Sequence, residues 1–260
     1  LNKIDLENPE DSAVYEELKP FTTRIAEENF EKSQREELRQ QFTANVSHEL
    51  KTPLTSISGF AEILKAGGTD EATTKDFAAS IYDESQRMIT LVNDIIKLSK
   101  LDEKSISLEK EAISLREMCR DVMSVLSVSA KSKNITVNLT GESGLINGVQ
   151  PVIYEMVYNL VDNAIKYNVQ DGKVDINLQN LMESHRVILT VKDTGIGIPA
   201  NEKERIFERF YRIDKSRSKQ NGGTGLGLSI VKHAAKYHEA SILVNSEVGK
   251  GSTFTVIFPV

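Results

Sequence analysis

A histidine stands among polar, chemically useful side chains in the run Ser47-His48-Glu49-Leu50-Lys51-Thr52-Pro53. Imidazole is a good nucleophile near neutral pH, and an acidic group can orient its second nitrogen. Glu49 supplies a carboxylate beside the ring, and Thr52 supplies a hydroxyl one helical turn later. Structural histidines seldom have such neighbours, so the run predicts that His48 takes part in a reaction.

This histidine lies in a helical pattern that extends from about Arg24 to Ala66, with apolar residues at steps of three or four. His48 is two positions from both Val46 and Leu50, about 200° around a helix, so we expect the imidazole to face solvent. The apolar residues of this helix are Leu38, Phe42, Val46, Leu50, Leu54, Ile57, Ala61 and Leu64.

A second helix is predicted from Thr69 or Asp70, either of which can cap it, to about Asp102, since Gly67-Gly68 is typical of a helix end. Its apolar residues are Phe77, Ile81, Met88, Leu91, Ile95 and Leu98. The short connection requires an antiparallel hairpin. One hairpin cannot bury both stripes, so we expect a homodimer with a four-helix bundle. The alternative is a monomer whose stripes pack on a second domain.

Three segments in the second half of the chain have the residue types of a nucleotide site. The first is Asn159-Leu160-Val161-Asp162-Asn163-Ala164-Ile165-Lys166-Tyr167, in which Asn159 and Asn163 share a helix face. Amide oxygens suit Mg²⁺, which takes few protein ligands and keeps waters and phosphate oxygens. Lys166 offers a positive charge for phosphates. An Asn pair alone is more often a cap or a surface feature.

The second segment is Asp193-Thr194-Gly195-Ile196-Gly197-Ile198-Pro199, directly after a predicted strand. Gly195 and Gly197 permit close approach of the backbone to a flat ligand. Asp193 can accept hydrogen bonds from an exocyclic amine such as that of adenine. In isolation the same residues would indicate only a turn.

The third segment is Gly222-Gly223-Thr224-Gly225-Leu226-Gly227-Leu228-Ser229, which precedes a predicted helix. Backbone N–H groups at a helix N-terminus bind phosphate, although the spacing fits neither GxGxxG nor GxxxxGK[ST]. Before it, Ile206–Arg212 leads into a basic stretch with Lys215, Arg217 and Lys219. This stretch is predicted to be either a lid over the phosphates or a solvated face.

Length and composition limit the class of protein. At 260 residues the chain should hold about two domains. A net charge of −6 and a pI near 5.4 argue against binding to nucleic acid. Cys119 is the only cysteine, which excludes an internal disulfide and fits the cytoplasm. The first residue is Leu1 and no apolar run could span a bilayer. We expect a fragment from which an upstream membrane-spanning sensor has been removed.

The predicted organisation is a linker or lead-in helix (1–24), a helical hairpin domain (25–103), a hinge (104–111) and a second domain (112–260). Strands that pair as neighbouring hairpins, with three helices on one face, predict an α+β sandwich for the second domain. The predicted helices are Ser114–Lys131, Pro151–Tyr167 and Leu226–His238. The predicted strands are Ile135–Leu139, Leu145–Ile146, Lys173–Asn180, Arg186–Asp193, Ser241–Ser246 and Ser252–Phe258.

In this order, behind a hairpin that carries a histidine, the segments resemble the cytoplasmic transmitter region of bacterial sensor histidine kinases over about residues 25–260. Ser47–Pro53 is similar to the phosphoacceptor box of that family. The N, G1, F and G2 boxes correspond to Asn159–Tyr167, Asp193–Pro199, Ile206–Arg212 and Gly223–Ser229. The resemblance implies a dimeric phosphotransfer bundle followed by an ATP-binding domain of the Bergerat (GHKL) fold.

The resemblance also implies a reaction and a role for each residue of the phosphoacceptor box. His48 takes the γ-phosphoryl group of Mg-ATP and passes it to an aspartate of a response regulator. Glu49 acts as a base, although residues i and i+1 do not face each other on a helix. Thr52 orients a water that dephosphorylates the regulator. Pro53 removes a backbone hydrogen bond and should loosen or bend the helix.

For the ATP-binding domain, the resemblance assigns Mg²⁺ to Asn163 with Asn159 close by. It assigns the phosphates to Lys166, Tyr167 and Arg212 and adenine to Asp193. The other residues assigned to the nucleotide are Gly195, Gly197, Gly223, Thr224, Gly225, Leu226 and Gly227, of which the glycines of the last segment let the lid close. One departure is visible: the family commonly has Gly-Gly after the histidine of the last helix, whereas here Glu239-Ala240 follows His238.

Two functions from other classes remain possible at this point. One is a dimeric scaffold that holds a nucleotide without transferring phosphate, which the complete set of boxes disfavours. The other is an ATPase of the chaperone or mismatch-repair type on the same Bergerat fold, which would lack a phosphoacceptor hairpin.

Overall fold

The computed structural model describes residues 9–102, 109–142, 144–214 and 223–259. Its first helix, α1, extends from Pro9 to Ala66. α1 therefore includes residues 9–24, for which the sequence left a linker or a lead-in helix open. Proline fits the first helical position, where a missing N–H costs no hydrogen bond. α1 stays α-helical through Pro20 and Pro53, so Pro53 does not end the helix beside the histidine.

The second helix, α2, extends from Glu71 to Asp102, as predicted. α1 ends at Ala66, and Gly67, which follows it, has a left-handed φ of 75° that suits glycine. Asp70 caps α2, because its carboxylate accepts the backbone N–H of Thr73 at 2.8 Å. The rings of Phe60 and Phe77 stack with centroids 5.1 Å apart, so the chain reverses across this turn and the predicted hairpin is confirmed.

The remaining elements form an α/β domain of three helices, seven strands and three turns of 3₁₀ helix among the described residues. The helices are α3 (Leu115–Ser132), α4 (Gln150–Lys166) and α5 (Gly227–Tyr237). The strands are β1 (Glu111–Ser114), β2 (Thr136–Gly141), β3 (Leu145–Gly148), β4 (Lys173–Leu181), β5 (Arg186–Asp193), β6 (Ser241–Glu247) and β7 (Gly251–Pro259). The 3₁₀ turns are Met182–Ser184, Ala200–Glu202 and Arg205–Phe207.

The chain divides into two compact units between Gly59 and Phe60. The second unit includes α2 because this helix contacts α5. The predicted boundaries at 103 and 112 stay a prediction, and residues 104–108 of the predicted hinge lie outside the described part. Glu111, predicted to end the hinge, instead begins β1 and pairs with Gly148.

Five strands form a mixed sheet in the order β2-β4-β5-β7-β6, and β1 pairs with β3 in a separate two-stranded sheet. β2 and β4 are parallel, and the other neighbours in the large sheet are antiparallel. The prediction that all strands pair as neighbouring hairpins is therefore wrong for β2 and β3. A parallel pair needs a crossover connection, and α4 lies in the connection between β2 and β4.

One face of the sheet is buried under helices. On β4, Val174, Ile176 and Leu178 are buried and alternate with the half-buried polar residues Asp175 and Asn177. The buried faces of α3, α4 and α5 belong to the same apolar core. The predicted sandwich with its helices on one face is confirmed, and this core positions the helix ends and loops along its edge.

The departure after the last helix has a structural consequence. His238 caps α5, and Glu239 follows it with a left-handed φ of 55°. The N–H of Ala240 bonds the carbonyl of Ala235 at 2.9 Å, and the N–H of Glu239 bonds that of Lys236 at 3.3 Å. This is a Schellman motif, whose left-handed residue is usually glycine. Glu239 therefore occupies a position that favours glycine.

Candidate functional site

The imidazole of His48 is exposed on α1, whereas Val46 and Leu50 are half-buried. This agrees with the predicted outward direction of the ring. The hydroxyl of Thr52 donates a hydrogen bond to the His48 carbonyl at 3.2 Å. Because this bond uses the only hydroxyl proton, the lone pairs of the Thr52 oxygen are what the side chain offers to a water or partner.

A cleft of about 470 Å³ lies among α4, the loop after β5 and the glycine segment before α5. It brings together most of the nucleotide residues predicted from the sequence. Those that line it are Asn159, Asn163, Lys166, Tyr167, Asp193, Gly197, Arg212, Gly223, Thr224, Gly225 and Gly227. Gly195 and Leu226 do not line it. Gly195 is buried below the loop, and the Leu226 side chain is fully buried.

The two asparagines of α4 face the first turn of α5. Nδ2 of Asn159 donates to the carbonyl of Glu155 at 2.8 Å, which leaves its Oδ1 as the side-chain atom available elsewhere. A Cβ on Gly227 would lie 2.6 Å from that Oδ1, so only glycine lets α5 begin this close to α4. Among the described residues, no hydrogen bond engages the Asn163 side-chain amide.

Lys166 is held at the cleft wall by an ion pair. Its Nζ lies 2.7 Å from Oδ2 of Asp162, one turn earlier on α4. Burial lowers the pKa of Lys166, but the Asp162 carboxylate, together with Tyr158 and Tyr167, opposes burial and the net pKa is raised. The lysine is therefore a fixed cation at the cleft. A phosphate that contacts it would share it with Asp162.

Asp193 ends β5 and projects into the cleft as a nearly buried carboxylate, 8% exposed. Its Oδ1 accepts the N–H of Gly195 at 2.8 Å and the N–H of Ser252 at 3.1 Å. Burial raises the pKa of Asp193, and the two backbone hydrogen bonds oppose that rise. Because both bonds go to Oδ1, Oδ2 is the oxygen that a ligand can engage.

The loop after Asp193 is fitted closely to its neighbours. The N–H of Ile196 donates to the carbonyl of Tyr167 at 3.1 Å, which joins the loop to the end of α4. Gly197 has a φ of 71°, and a Cβ there would overlap the carbonyl oxygen of Glu247. The loop thus needs glycine for its backbone conformation as well as for close approach.

The segment before the basic stretch is attached to the glycine segment. The N–H of Phe210 donates to the carbonyl of Gly225 at 2.9 Å, and a Cβ on Gly225 would lie 2.9 Å from the Phe210 backbone. The hydroxyl of Tyr211 donates to Glu202, and Arg205 stacks over the Tyr211 ring at 4.3 Å. Gly225 therefore has a packing role, since only glycine lets the Phe210 backbone approach this closely, in addition to the lid role that the resemblance implies. Lys215, Arg217 and Lys219 lie outside the described residues.

Some lining residues were not predicted. Tyr158 and Asp162 lie one turn apart on the α4 face that continues to Lys166, so the helix period could have found them. Thr90 and Asp94 come from α2, and no local signal marks them. The hydroxyl of Thr224 donates to Oδ2 of Asp94 at 2.7 Å, which joins α2 to the glycine segment.

The described residues contain no group of three or more His, Cys, Asp or Glu side chains that could hold a metal ion. The side chains of Asn159 and Asn163 carry amide oxygens, which are suitable ligands for a hard cation such as Mg²⁺. No helix in the described ranges is long and apolar enough to cross a membrane.

Comparisons with known proteins agree with this geometry. The family of "Histidine kinase-, DNA gyrase B-, and HSP90-like ATPase" domains matches residues 148–260, and the "His Kinase A (phospho-acceptor) domain" matches residues 38–104. The sensor protein kinase WalK of Staphylococcus aureus is 36% identical over 230 residues, which cover 88% of this chain and 55% of that relative. The chain thus spans 38–55% of the length of the curated relatives it matches.

Solved structures give the same result. The histidine kinase ThkA, in complex with the response regulator protein TrrA, matches with a TM-score of 0.71 and 27% identity over 90% of this chain and 66% of that chain. Full-length ShkA, in complex with AMPPNP, matches with a TM-score of 0.62 and 27% identity over 84% of this chain and 45% of that chain. With a His Kinase A domain followed by an ATPase domain of the histidine kinase type, the chain belongs to the cytoplasmic transmitter regions of bacterial sensor histidine kinases.

Proposed function

We propose that this chain is an ATP-dependent protein histidine kinase that phosphorylates His48 and passes the phosphoryl group to an aspartate of a response regulator. The observation that carries the proposal is a single chain with two complementary parts. An exposed imidazole lies in the matched phosphoacceptor region, and the matched ATPase domain has a cleft lined by Asn163, Asp193 and the glycine segment.

The cleft has one part for adenine and another for phosphates. Oδ2 of Asp193 accepts a hydrogen bond from the exocyclic amine, and the apolar side chains of Ile198, Ile206 and Phe254 line the same cleft and suit a flat base. The phosphates extend towards the N-terminus of α5 at Gly227, where N–H groups and the helix dipole favour anions. Lys166 adds a fixed positive charge at the wall.

The polar side chains of α4 also fit a magnesium ion. A magnesium ion held there would supply positive charge beside the phosphates. Asn163 would be its ligand, with Asn159 Oδ1 nearby, because hard amide oxygens are suitable and no hydrogen bond among the described residues engages the Asn163 amide. We therefore propose Asn163 as the magnesium ligand and Asn159 as a residue close to it, as predicted from the sequence.

At the acceptor, a ring nitrogen of His48 attacks the γ-phosphorus, an N–P bond forms, and the bond to the departing ADP oxygen breaks. The proton on the other ring nitrogen needs an acceptor, which Glu49 is proposed to supply directly or after a side-chain rotation. The phosphoramidate then gives its phosphoryl group to a regulator aspartate. The ThkA structure with its response regulator supports such a partner.

We propose in addition that the chain dephosphorylates its regulator through Thr52. The hydroxyl proton of Thr52 is used by the His48 carbonyl, so an oxygen lone pair is available to accept a hydrogen bond from the attacking water. Thr52→Ala should leave phosphorylation of His48 intact and slow release of phosphate from the phosphorylated regulator. Equal release rates for Thr52→Ala and the wild type would refute this role.

A homodimer is proposed from apolar surface left uncovered on the hairpin. Leu54 is 56% exposed on α1, and Ile89 and Ile96 are 53% and 47% exposed on α2. Exposed apolar residues repeated along two helices are typical of an interface between chains. Sedimentation equilibrium should give twice the chain mass, and a monomer at micromolar concentration would contradict the proposal.

The kinase reaction is tested by incubation with ATP labelled at the γ-phosphorus. The protein should acquire label that is lost in acid and retained in base, as expected for a phosphoramidate. Steady ATP hydrolysis without a labelled protein would favour the ATPase alternative. Nucleotide binding with neither product would favour the scaffold. The need for ATP is consistent with a cytoplasmic location, and the upstream membrane-spanning sensor stays a prediction.

A further inference from the structure

Asp94 introduces a carboxylate from α2 into the cleft. Its Oδ2 accepts the hydroxyl proton of Thr224 at 2.7 Å, and Thr90, one turn earlier, lines the same cleft. None of the sequence motifs that identify the phosphoacceptor or the nucleotide site includes Thr90 or Asp94. α2 therefore contributes to a site whose other described lining residues all come from the α/β domain.

A second polar contact holds α2 against the same domain. Nζ of Lys97, one turn after Asp94, lies 2.8 Å from Oε1 of Glu155 on α4. Neither Lys97 nor Glu155 lines the cleft. Of the two contacts, only that of Asp94 places charge beside the nucleotide position, so it can respond directly to a bound anion.

The contact between Asp94 and Thr224 uses donors that a phosphate would need. The single hydroxyl proton of Thr224 goes to Asp94, and the hydroxyl oxygen accepts the N–H of Leu226 at 3.3 Å. Phosphate oxygens near this turn are hydrogen-bond acceptors, so they would need the Thr224 hydroxyl or the Leu226 N–H as a donor. The Asp94 carboxylate also repels them, and burial raises its pKa against the opposing hydrogen bond from Thr224.

We propose that Asp94 is a positioning residue that acts through Thr224 to oppose binding of the nucleotide's phosphates while α2 contacts the ATP-binding domain. The inference rests on the proposed binding of ATP. The coupling is reciprocal: the contact of α2 with Thr224 weakens phosphate binding, and bound phosphate weakens that contact by the same factor. Loading of the cleft with polyphosphate therefore favours release of the hairpin helix from the domain.

The test compares ligands that differ only in phosphate. Titration calorimetry measures the dissociation constants of ATP, ADP and adenosine, with magnesium, for the wild type and for Asp94→Asn. Removal of one nearby charge should tighten ATP about tenfold, tighten ADP less, and leave adenosine unchanged. Asp83→Asn removes an exposed carboxylate of the same helix outside the cleft and should change none of the three.

A merely structural role would change all three ligands alike, because adenosine occupies the same cleft. Equal changes for the three ligands, or no change with ATP, would therefore overturn the inference. If Asp94→Asn fails to fold, Asp94→Ser removes the same charge and gives the same comparison. If the wild type binds neither ATP nor ADP, the proposed function itself fails. If the wild type binds both and Asp94→Asn has the same dissociation constants, only the inference about Asp94 fails.

Discussion

The N–H of Ser252 on β7 donates to Oδ1 of Asp193 at the end of β5, at 3.1 Å. The same oxygen accepts the N–H of Gly195 at 2.8 Å. Two backbone donors thus fix the rotation of the carboxylate, and Oδ2 is left towards the cleft. The sheet register, rather than the loop alone, therefore positions the proposed adenine acceptor.

Asp193→Asn should alter base selectivity more than stability. Its Oδ1 must keep the two backbone donors, so Nδ2 would point to the base and offer a proton to the exocyclic amine. Loss of one charged hydrogen bond in a buried site weakens ATP about 10- to 100-fold. GTP, which has a carbonyl oxygen there, should weaken much less. Calorimetric titration measures both.

The matched control is Asp121→Asn, which changes an exposed carboxylate on α3. It should leave both nucleotides unaffected. Equal weakening of ATP and GTP by Asp193→Asn would mean that Asp193 supports the loop without contacting the base.

Local patterns explain why much of this site could be predicted. The strand Arg186–Asp193 has the same bounds in the prediction and in the structure, because the strand is rich in β-branched residues and a glycine-containing turn follows it directly. Asn159 and Asn163 share one face of α4 because a helix places residues four apart together. In both cases the chemistry depends on neighbours in sequence.

Asn163→Ala should weaken nucleotide binding only when magnesium is present. The amide oxygen is the proposed ligand, so titration of a fluorescent ATP analogue should show about a tenfold loss with Mg²⁺, and the analogue should bind alike in EDTA. The control, Asn147→Ala, changes an exposed asparagine on β3. A loss of equal size in EDTA would assign Asn163 to the nucleotide rather than to the metal.

His238 should make stability fall in mild acid. Its Nδ1 contacts the Ala234 carbonyl at 2.8 Å, and Nε2 accepts the N–H of Val149 at 3.0 Å. Burial lowers the pKa of His238, and the charge of Lys110 lowers it further. The hydrogen bond to Ala234 opposes this lowering. The unfolded chain therefore binds the proton more readily. The stabilisation is complete above the unfolded pKa of about 6.5 and declines as the pH falls below it.

Urea unfolding of the wild type at pH 7.5 and 5.5 measures this decline. His238→Gln should be less stable at pH 7.5, and its free energy of unfolding should drop less between the two values. An identical drop in both proteins would assign the acid sensitivity to other groups.

Glu239→Gly should stabilise the ATP-binding domain. Glu239 has a φ of 55° after α5, where a side chain costs about 1–2 kcal/mol and the greater freedom of unfolded glycine takes back part of the gain. We expect a net increase of about 0.5–1 kcal/mol in the free energy of unfolding. Glu239→Ala, which keeps a Cβ, should remain close to the wild type. Destabilisation by glycine would contradict the prediction.

Other features could not be predicted because they depend on distant parts of the chain. β1 has only four residues, and its partner β3 lies far along the sequence. The parallel pairing of β2 with β4 needs the fold of α4 between them. Asp94 meets Thr224 across 130 positions, with no motif around it. Such contacts depend on how distant segments pack together, and the hydrophobic periodicity of a sequence predicts only local structure.

The most direct test of the central claim is to map the phosphoryl group after incubation with Mg-ATP. Mass spectrometry at neutral or basic pH, which preserves phosphoramidates, should place it on His48. His48→Ala should bind ATP normally and carry no label. A phosphoryl group on any other residue, or label that persists in His48→Ala, would contradict the account.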